Sequence, residues 1–217
     1  SHPTLGDFLL LYGGYNGQTS GGTLGDTWLL SMNNVIAWHE WKNERNVKET
    51  GMPPLNTYAM APVGGGVLIY GGILPDEVPE DKSFRTWFFT CNAPPKGITN
   101  TLDNDCNWRE FKSATQHYPD VIRQRAVALT QSHVILYPDT LKKCTWLFTM
   151  PTMPVVEGHW QCIGSFDPNP NPNIVDPSLV AGGSHETAVV FEGLEANLGT
   201  INFIFEVLNL EVQNFIQ

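Results

Sequence analysis

Four cysteines are the first residues whose spacing suggests chemistry. Cys144 precedes Trp146 by two positions and Cys162 follows Trp160 by two, so the cysteines would face each other if the tryptophans were opposite on antiparallel strands. The other two cysteines flank a connection that contains Asn92-Ala93-Pro94-Pro95. Both pairs are therefore candidate disulfides, which would indicate an oxidising compartment; buried free thiols in a cytosolic protein are the alternative. The two candidate pairs are Cys91 with Cys106 and Cys144 with Cys162.

The histidines and acidic residues do not form a recognisable metal motif. His159 and Cys162 lack the second ligand pair that a structural zinc site needs. Asp103-Asn104-Asp105 lacks the glycine and the terminal glutamate of a calcium-binding loop. A Gly-x-Ser-x-Gly elbow and a phosphate-binding glycine loop with lysine are also missing. The sequence therefore predicts no metal, no cofactor and no catalytic residue.

The charge balance limits the classes of partner. Asp and Glu number 22 against 12 Lys and Arg, which gives a formal net charge of −10. Such a surface repels phosphates and anionic membranes, and no apolar run approaches the roughly 18 residues that span a bilayer. We therefore expect neither direct nucleic-acid binding nor a membrane, and a basic peptide or protein is the natural complement. The alternative is that the acidity only maintains solubility.

A threonine–aromatic motif recurs along the chain and predicts the fold. Its aromatic residues are spaced by 59, 59 and 57 positions. An apolar run that ends in a turn signal precedes each copy, and a short strand and an outer strand complete a predicted four-strand unit. Continuous apolar runs bounded by Gly or Pro predict strands that are buried on both faces. The four copies are Thr27-Trp28, Thr86-Trp87, Thr145-Trp146 and Asn202-Phe203.

These motifs resemble the kelch family. The resemblance rests on Tyr12-Gly13-Gly14, Tyr70-Gly71-Gly72, Asp26-Thr27-Trp28 and the following Trp38 or Trp41. It implies an all-β chain forming one β-propeller region, with about four blades of four antiparallel strands each. We expect the paired glycines to adopt positive φ, and most of the tryptophans to pack between sheets. The expected blades are residues 1–52, 53–120, 121–172 and 173–217.

Four blades are fewer than such propellers usually close with. We therefore expect these to be part of a larger propeller, with further blades from another segment or another chain. An open propeller exposes one apolar blade face, which predicts association.

The resemblance also implies where function would reside. Packing consumes the strands of a propeller, so recognition falls to the rim loops and a protein or peptide becomes the expected partner. The chain is thus expected to be a non-catalytic interaction module. Asp76 and Glu77 belong to an acidic loop suited to a basic partner, and a solvated loop without a binding role is the alternative, which we prefer. The other candidate contact residues, for which ordinary ion pairing is the alternative, are His117, Tyr118, Arg123 and Arg125.

Two other functions and two compartments stay open. The chain could be a scaffold subunit of a larger complex. Propeller enzymes similar to galactose oxidase or the sugar epimerases, with an active site at the propeller mouth, are a second alternative. The sequence gives a slight preference for a cytoplasmic or nuclear location over secretion.

Overall fold

A computed structural model describes about half of the chain. The side chains of Ser31, Ser113, Arg125 and the last three described segments are outside this description. Within it every regular element is a β-strand, so the chain is all-β as predicted, and no helix there is long and apolar enough to cross a membrane. The described residues are 8–17, 22–31, 37–41, 52–74, 84–91, 106–113, 119, 125–137, 144–152, 157–164, 178–181, 187–192 and 204–209.

Fourteen strands follow one another in the described ranges. The three Thr-Trp motifs all lie on strands, as predicted, whereas Asn202-Phe203 of the fourth copy lies outside the described residues. The strands are β1 Phe8–Tyr15, β2 Thr23–Ser31, β3 Ala37–Trp41, β4 Ala59–Val63, β5 Gly66–Tyr70, β6 Thr86–Cys91, β7 Cys106–Ser113, β8 Arg125–Ala128, β9 His133–Tyr137, β10 Thr145–Thr149, β11 Glu157–Gly164, β12 Ser178–Ala181, β13 Thr187–Glu192 and β14 Ile204–Asn209.

The chain divides into two compact units. The first comprises Ser1–Tyr58 and Gly64–Lys112, and the second comprises Ala59–Val63 and Ser113–Gln217. The first unit therefore contains β1–β3 and β5–β7, and the second contains β4 and β8–β14.

In the first unit, β1, β2 and β3 pair antiparallel in chain order and form what we call the first sheet. Leu9 lies opposite Leu30, which lies opposite Trp38. Because side chains alternate between the two faces of a strand, these three residues share one face.

The strands β5, β6 and β7 pair antiparallel with the same register. Val67 lies opposite Phe89, which lies opposite Trp108. Two rows of the first sheet therefore have direct counterparts here, and the internal repeat predicted from sequence extends to the hydrogen-bond register. The second row pairs Leu11, Trp28 and Glu40 in the first sheet, and Ile69, Trp87 and Glu110 in its counterpart.

The paired glycines adopt matching left-handed conformations. Their φ angles are 54° and 109° at Gly13 and Gly14, and 72° and 109° at Gly71 and Gly72. A side chain at Gly13 would also overlap the carbonyl oxygens of Leu24 and Leu55. The prediction of positive φ at both pairs is therefore confirmed, because only glycine accepts this geometry at little cost.

In the second unit, β8, β9, β10 and β11 pair antiparallel in chain order. Val134 lies opposite Phe148, which lies opposite Trp160. The sequence-based alignment of Trp146 with Trp160 is wrong: Trp146 lies opposite Cys162, and an irregularity follows between Thr145 and Trp146. The corrected register matches the rows of the first two repeats.

The fourth repeat consists of β12, β13 and β14, which also pair antiparallel in chain order. Phe191 lies opposite Phe205, while Phe203, the counterpart that we predicted for the tryptophans, lies outside the described residues. Within this second unit the first strands of successive repeats are neighbours, because β4 lies beside β8 and β8 lies beside β12.

The core of the first unit lies between the first sheet and β5–β7. It contains side chains from both sets of strands and from the segment 52–58 that follows the first sheet. Tyr12 and Trp108 meet edge to face at 5.1 Å, and so do Trp41 and Phe89 at 5.5 Å. Such aromatic contacts add to the free energy gained by burying apolar area. The remaining buried members are Leu29, Met52, Leu55, Ile69, Trp87, Cys91 and Cys106.

Candidate interaction surface

Most of the contact residues predicted from sequence fall outside the described part of the chain. Arg125 begins β8, where its backbone pairs with that of Tyr137, and its side chain is not among those described. The structure therefore leaves the predicted rim surface as a prediction. The predicted residues outside the described ranges are Asp76, Glu77, His117, Tyr118 and Arg123.

Two disulfide bonds join the four cysteines. Cys91 is bonded to Cys106, which lies directly opposite on the neighbouring strand, and Cys144 is bonded to Cys162. The first bond joins the end of β6 to the start of β7, whereas the second joins the residue before β10 to Cys162, two residues before the end of β11. The two bonds thus fasten opposite ends of equivalent hairpins.

One face of the first sheet, which we call the packed face, is directed into the core of the first unit. Its members Tyr12, Thr27, Leu29 and Trp41 are all buried. Thr27 accepts a buried hydrogen bond of 3.1 Å from the indole Nε1–H of Trp108. This bond satisfies a donor that would otherwise be costly to bury and fixes β7 against the first sheet.

The segment 52–58 reinforces that contact. The backbone of Leu55 donates to Leu24 and accepts from Gly14, and the hydroxyl of Tyr12 donates to the carbonyl of Pro53 at 2.6 Å. The hydroxyl of Tyr58 donates in turn to the carbonyl of Tyr12. The connection between the first two repeats is therefore part of the packing between them.

Burial has a clear electrostatic effect on these two tyrosines. It raises the pKa of Tyr58 to about 12. It also raises the pKa of Tyr12 far above the ordinary value, with smaller contributions from Tyr58 and from the carboxylate of Asp26. Both phenols are therefore neutral hydrogen-bond donors at physiological pH and have a structural role.

The opposite face of the first sheet, which we call the open face, is apolar and exposed. The exposed fractions are 55% for Leu9, 51% for Leu11, 38% for Leu24 and 48% for Trp38. Two further apolar side chains of this face, Trp28 and Leu30, are half-buried. Asp26 is on the same face, where its Oδ2 accepts from Nε1 of Trp28 at 2.5 Å, and Glu40 lies opposite Trp28.

The equivalent face of β5–β7 is closed. Ile69, Phe89 and Trp108 correspond in register to Leu11, Leu30 and Trp38, and all three are buried. The side chains that cover them include Tyr12 and Trp41 of the packed face. The open face thus has the residue types of an internal sheet face without the neighbouring sheet.

Sequence reasoning located this surface only in general terms. The open face is an exposed apolar sheet face, and its assignment to a propeller blade stays a prediction. The prediction that each apolar run is buried on both faces is wrong for β1, in which burial alternates. The core position expected for the tryptophans is confirmed for Trp87, Trp108 and Trp160, whereas Trp28 and Trp146 are half-buried. The sequence showed which residues of the open face are apolar, but it did not show that no neighbouring sheet covers them among the described residues.

Within the described ranges, no group of three or more His, Cys, Asp or Glu side chains is placed to hold a metal ion. The buried His133 is occupied locally, since its Nδ1 lies 2.9 Å from Oγ1 of Thr130 and 3.0 Å from Oγ of Ser132. Burial lowers the pKa of this histidine, which favours the neutral ring. These contacts tie His133, the first residue of β9, to the preceding turn and give it a structural role.

No protein-family model matches the chain, and no curated protein matches it.

Proposed function

We propose that this chain is a non-catalytic protein-interaction module, built as a region of a kelch-type β-propeller. Three observations support the propeller arrangement: three repeats share one register, two of them share the Tyr-Gly-Gly turn, and the first strands of successive repeats lie side by side in the second unit. Neighbouring first strands are the arrangement that a propeller requires around its axis.

The observation that carries the interaction function is the open face. Soluble monomers rarely expose a contiguous apolar patch of more than a few hundred Å2, and larger patches mark protein contacts. Here six apolar side chains share one face of a three-stranded sheet, and two of them are tryptophans. Tryptophan is also enriched among the residues that dominate binding energy at interfaces.

The rim loops are the second part of the proposal. The acidic loop with Asp76 and Glu77, together with the formal net charge of −10, favours a basic protein or peptide. His117, Tyr118, Arg123 and Arg125 are the further contact residues that we propose at this rim.

Capture of partners with chemical cross-linking tests the function and separates the two surfaces. The wild-type chain, Leu11→Glu on the open face and Arg125→Ala at the rim would be compared, with Met60→Gln as a matched control because Met60 is an exposed apolar residue on β4. We expect a partner retained by wild type and by the control but lost by one surface variant. Equal capture by all four chains would contradict the proposal.

The open face also favours a second candidate, a scaffold subunit that is stable only within a larger complex. Sedimentation and thermal unfolding of the isolated chain distinguish the two functions. A scaffold subunit would aggregate or melt without cooperativity when alone, whereas an independent interaction module would unfold cooperatively. A propeller enzyme would instead bind copper or turn over a sugar, which a copper titration and a peroxide assay detect.

A further inference from the structure

We infer that the disulfide between Cys144 and Cys162 is a reversible thiol–disulfide exchange site, which a dithiol reductant opens while the chain stays folded. The bond between Cys91 and Cys106 is, by contrast, a permanent structural bond. This assignment goes beyond the proposed interaction function and does not depend on it, because it follows from the surroundings of the two bonds.

The two bonds differ first in their access to solvent. Cys91 and Cys106 are 3% and 5% exposed and belong to the core of the first unit. Cys162 is exposed and Cys144 is half-buried. Exchange begins when a thiolate approaches one sulfur of the disulfide, so an exposed bond reacts with a reductant that a buried bond excludes. Cys162 is therefore the cysteine that a reductant reaches first.

The surroundings of Cys144 suit the reduced form without rearrangement. Its Sγ lies 3.5 Å from the carbonyl oxygen of Thr145 and 3.6 Å from that of Gly164. A free cysteine is mostly protonated at neutral pH, and its S–H group is a weak hydrogen-bond donor. After reduction the thiol of Cys144 therefore has two acceptors already in place.

The strands that this bond joins are also held together without it. β10 and β11 form an antiparallel ladder in which the buried rings of Phe148 and Trp160 lie 4.7 Å apart. The disulfide lies at one end of the ladder, beside the irregularity between Thr145 and Trp146. Opening the bond should therefore release the end of the hairpin and leave the ladder intact.

The exchange takes two steps. A thiolate of the dithiol attacks Sγ of Cys162 and forms a mixed disulfide, while Sγ of Cys144 leaves as a thiolate and takes a proton from water. The second thiol of the reductant loses its proton and attacks the reductant sulfur of the mixed disulfide, which releases Cys162 as the second thiol. Two electrons thus pass from the dithiol to the chain, and the reductant leaves as a disulfide.

Differential alkylation of the full wild-type chain tests this site. The native chain would be incubated with dithiothreitol, quenched at intervals with iodoacetamide and mapped by peptide mass spectrometry. We expect Cys144 and Cys162 to be labelled at least about tenfold faster than Cys91 and Cys106, because the buried bond reacts only after the core opens. Circular dichroism should stay constant while the first pair is labelled. In concentrated urea, where the fold protects neither bond, the two rates should become similar.

Equal rates in the native chain, or faster labelling of Cys91 and Cys106, would overturn the assignment. A loss of circular dichroism in step with the labelling of Cys144 and Cys162 would also overturn it, because the bond would then open only through unfolding. After removal of dithiothreitol, oxidised glutathione should restore the bond, and failure to restore it would contradict reversibility.

The double variant Cys91→Ser with Cys106→Ser is the matched control, because it leaves the exchange site as the one remaining disulfide. Cys144 and Cys162 should be labelled at the wild-type rate in this variant, with thermal melts to establish that it is folded. A changed rate in the folded variant would mean that the buried bond controls access to the exposed one, which contradicts the assignment. If the variant does not fold, the wild-type rates decide.

Discussion

Trp38 and Trp108 occupy the same register position in consecutive repeats but have different environments. Trp38 lies on β3 opposite Leu30, and Trp108 lies on β7 opposite Phe89. Trp108 is 7% exposed and its indole N–H is bonded to Thr27, whereas Trp38 is 48% exposed. The difference comes from the neighbouring sheet that only Trp108 has.

The comparison shows that the sequence of a repeat determines which apolar residues share a sheet face, but not whether that face is buried. An internal sheet face and a docking face need the same residue types, since both exclude water by contact with apolar side chains. In a stacked architecture the two differ only in whether the neighbour is present. An exposed face that is as apolar as an internal one is therefore a candidate interface.

Replacing each of these two tryptophans by alanine gives the largest expected difference. Trp108→Ala removes a buried ring, its contact with Tyr12 and a buried hydrogen bond, and we expect a loss of about 3–5 kcal/mol in the free energy of unfolding. Trp38→Ala removes a ring that is half in solvent and should cost about 1 kcal/mol or less in the monomer. Urea unfolding at low protein concentration measures both.

The same pair of variants separates stability from association. In the cross-linking capture, Trp38→Ala should weaken retention of a partner that binds the open face, while Trp108→Ala mainly lowers the stability of the chain. Equal losses of monomer stability for the two variants would mean that the open face is covered in solution, and the contrast between the repeats would then be wrong.

How far the sequence predicts this molecule depends on whether the signal is local. The turn at Gly13-Gly14 and the strand at β6 were predictable, because positive φ and apolar runs are properties of a few adjacent residues. The register of β10 against β11 was missed by two residues, because register is a property of the pairing between two strands and the residue types of one strand do not fix which residue lies opposite. The exposure of Trp38 was not predictable from its own repeat, because it depends on a neighbour distant in sequence.

Removing the disulfide between Cys91 and Cys106 sharpens the comparison, because this bond joins β6 to β7 in the buried core and does not join strands of the open face. Both cysteines belong to the core that includes Trp108, and their separation is 15 residues. Cys91→Ser combined with Cys106→Ser should reduce the free energy of unfolding by about 3 kcal/mol, because the unfolded chain gains the entropy of the opened loop. Urea unfolding under non-reducing conditions checks this.

A thiol count on the denatured, unreduced wild-type chain provides the control. We expect no reactive thiols, and the oxidising compartment that disulfides imply would follow. Four reactive thiols would contradict both bonds, and the double serine variant should then cost much less.

Trp108 differs from Trp38 also in its buried hydrogen bond to Thr27. Thr27→Val tests this bond, because valine has nearly the same shape as threonine but cannot accept a hydrogen bond. The variant leaves a buried indole N–H without its partner, so we expect a loss of about 1–3 kcal/mol. Trp108→Phe alone and combined with Thr27→Val completes a double-mutant cycle in urea. If Thr27→Val costs as much in the Trp108→Phe background as in wild type, the bond contributes nothing and packing alone holds the closed face.

A substitution at Thr57 tests the conformation of the segment 52–58, which packs against the first sheet. We expect it to have the smallest effect on the free energy of unfolding. It follows Asn56, whose Nδ2 donates to Oγ1 of Thr23, and it precedes Tyr58, so both neighbours are held against the first sheet. Its φ is 57°, a left-handed value that costs a β-branched residue about 1–2 kcal/mol. Glycine adopts this angle freely but loses more entropy on folding, so Thr57→Gly should stabilise the chain by about 0.5–1 kcal/mol, measured as a rise in the urea midpoint.

Thr90→Gly, in the extended backbone of β6, should destabilise by about the same amount. If Thr57→Gly were destabilising as well, the segment would not be held in the left-handed conformation that its anchored neighbours impose.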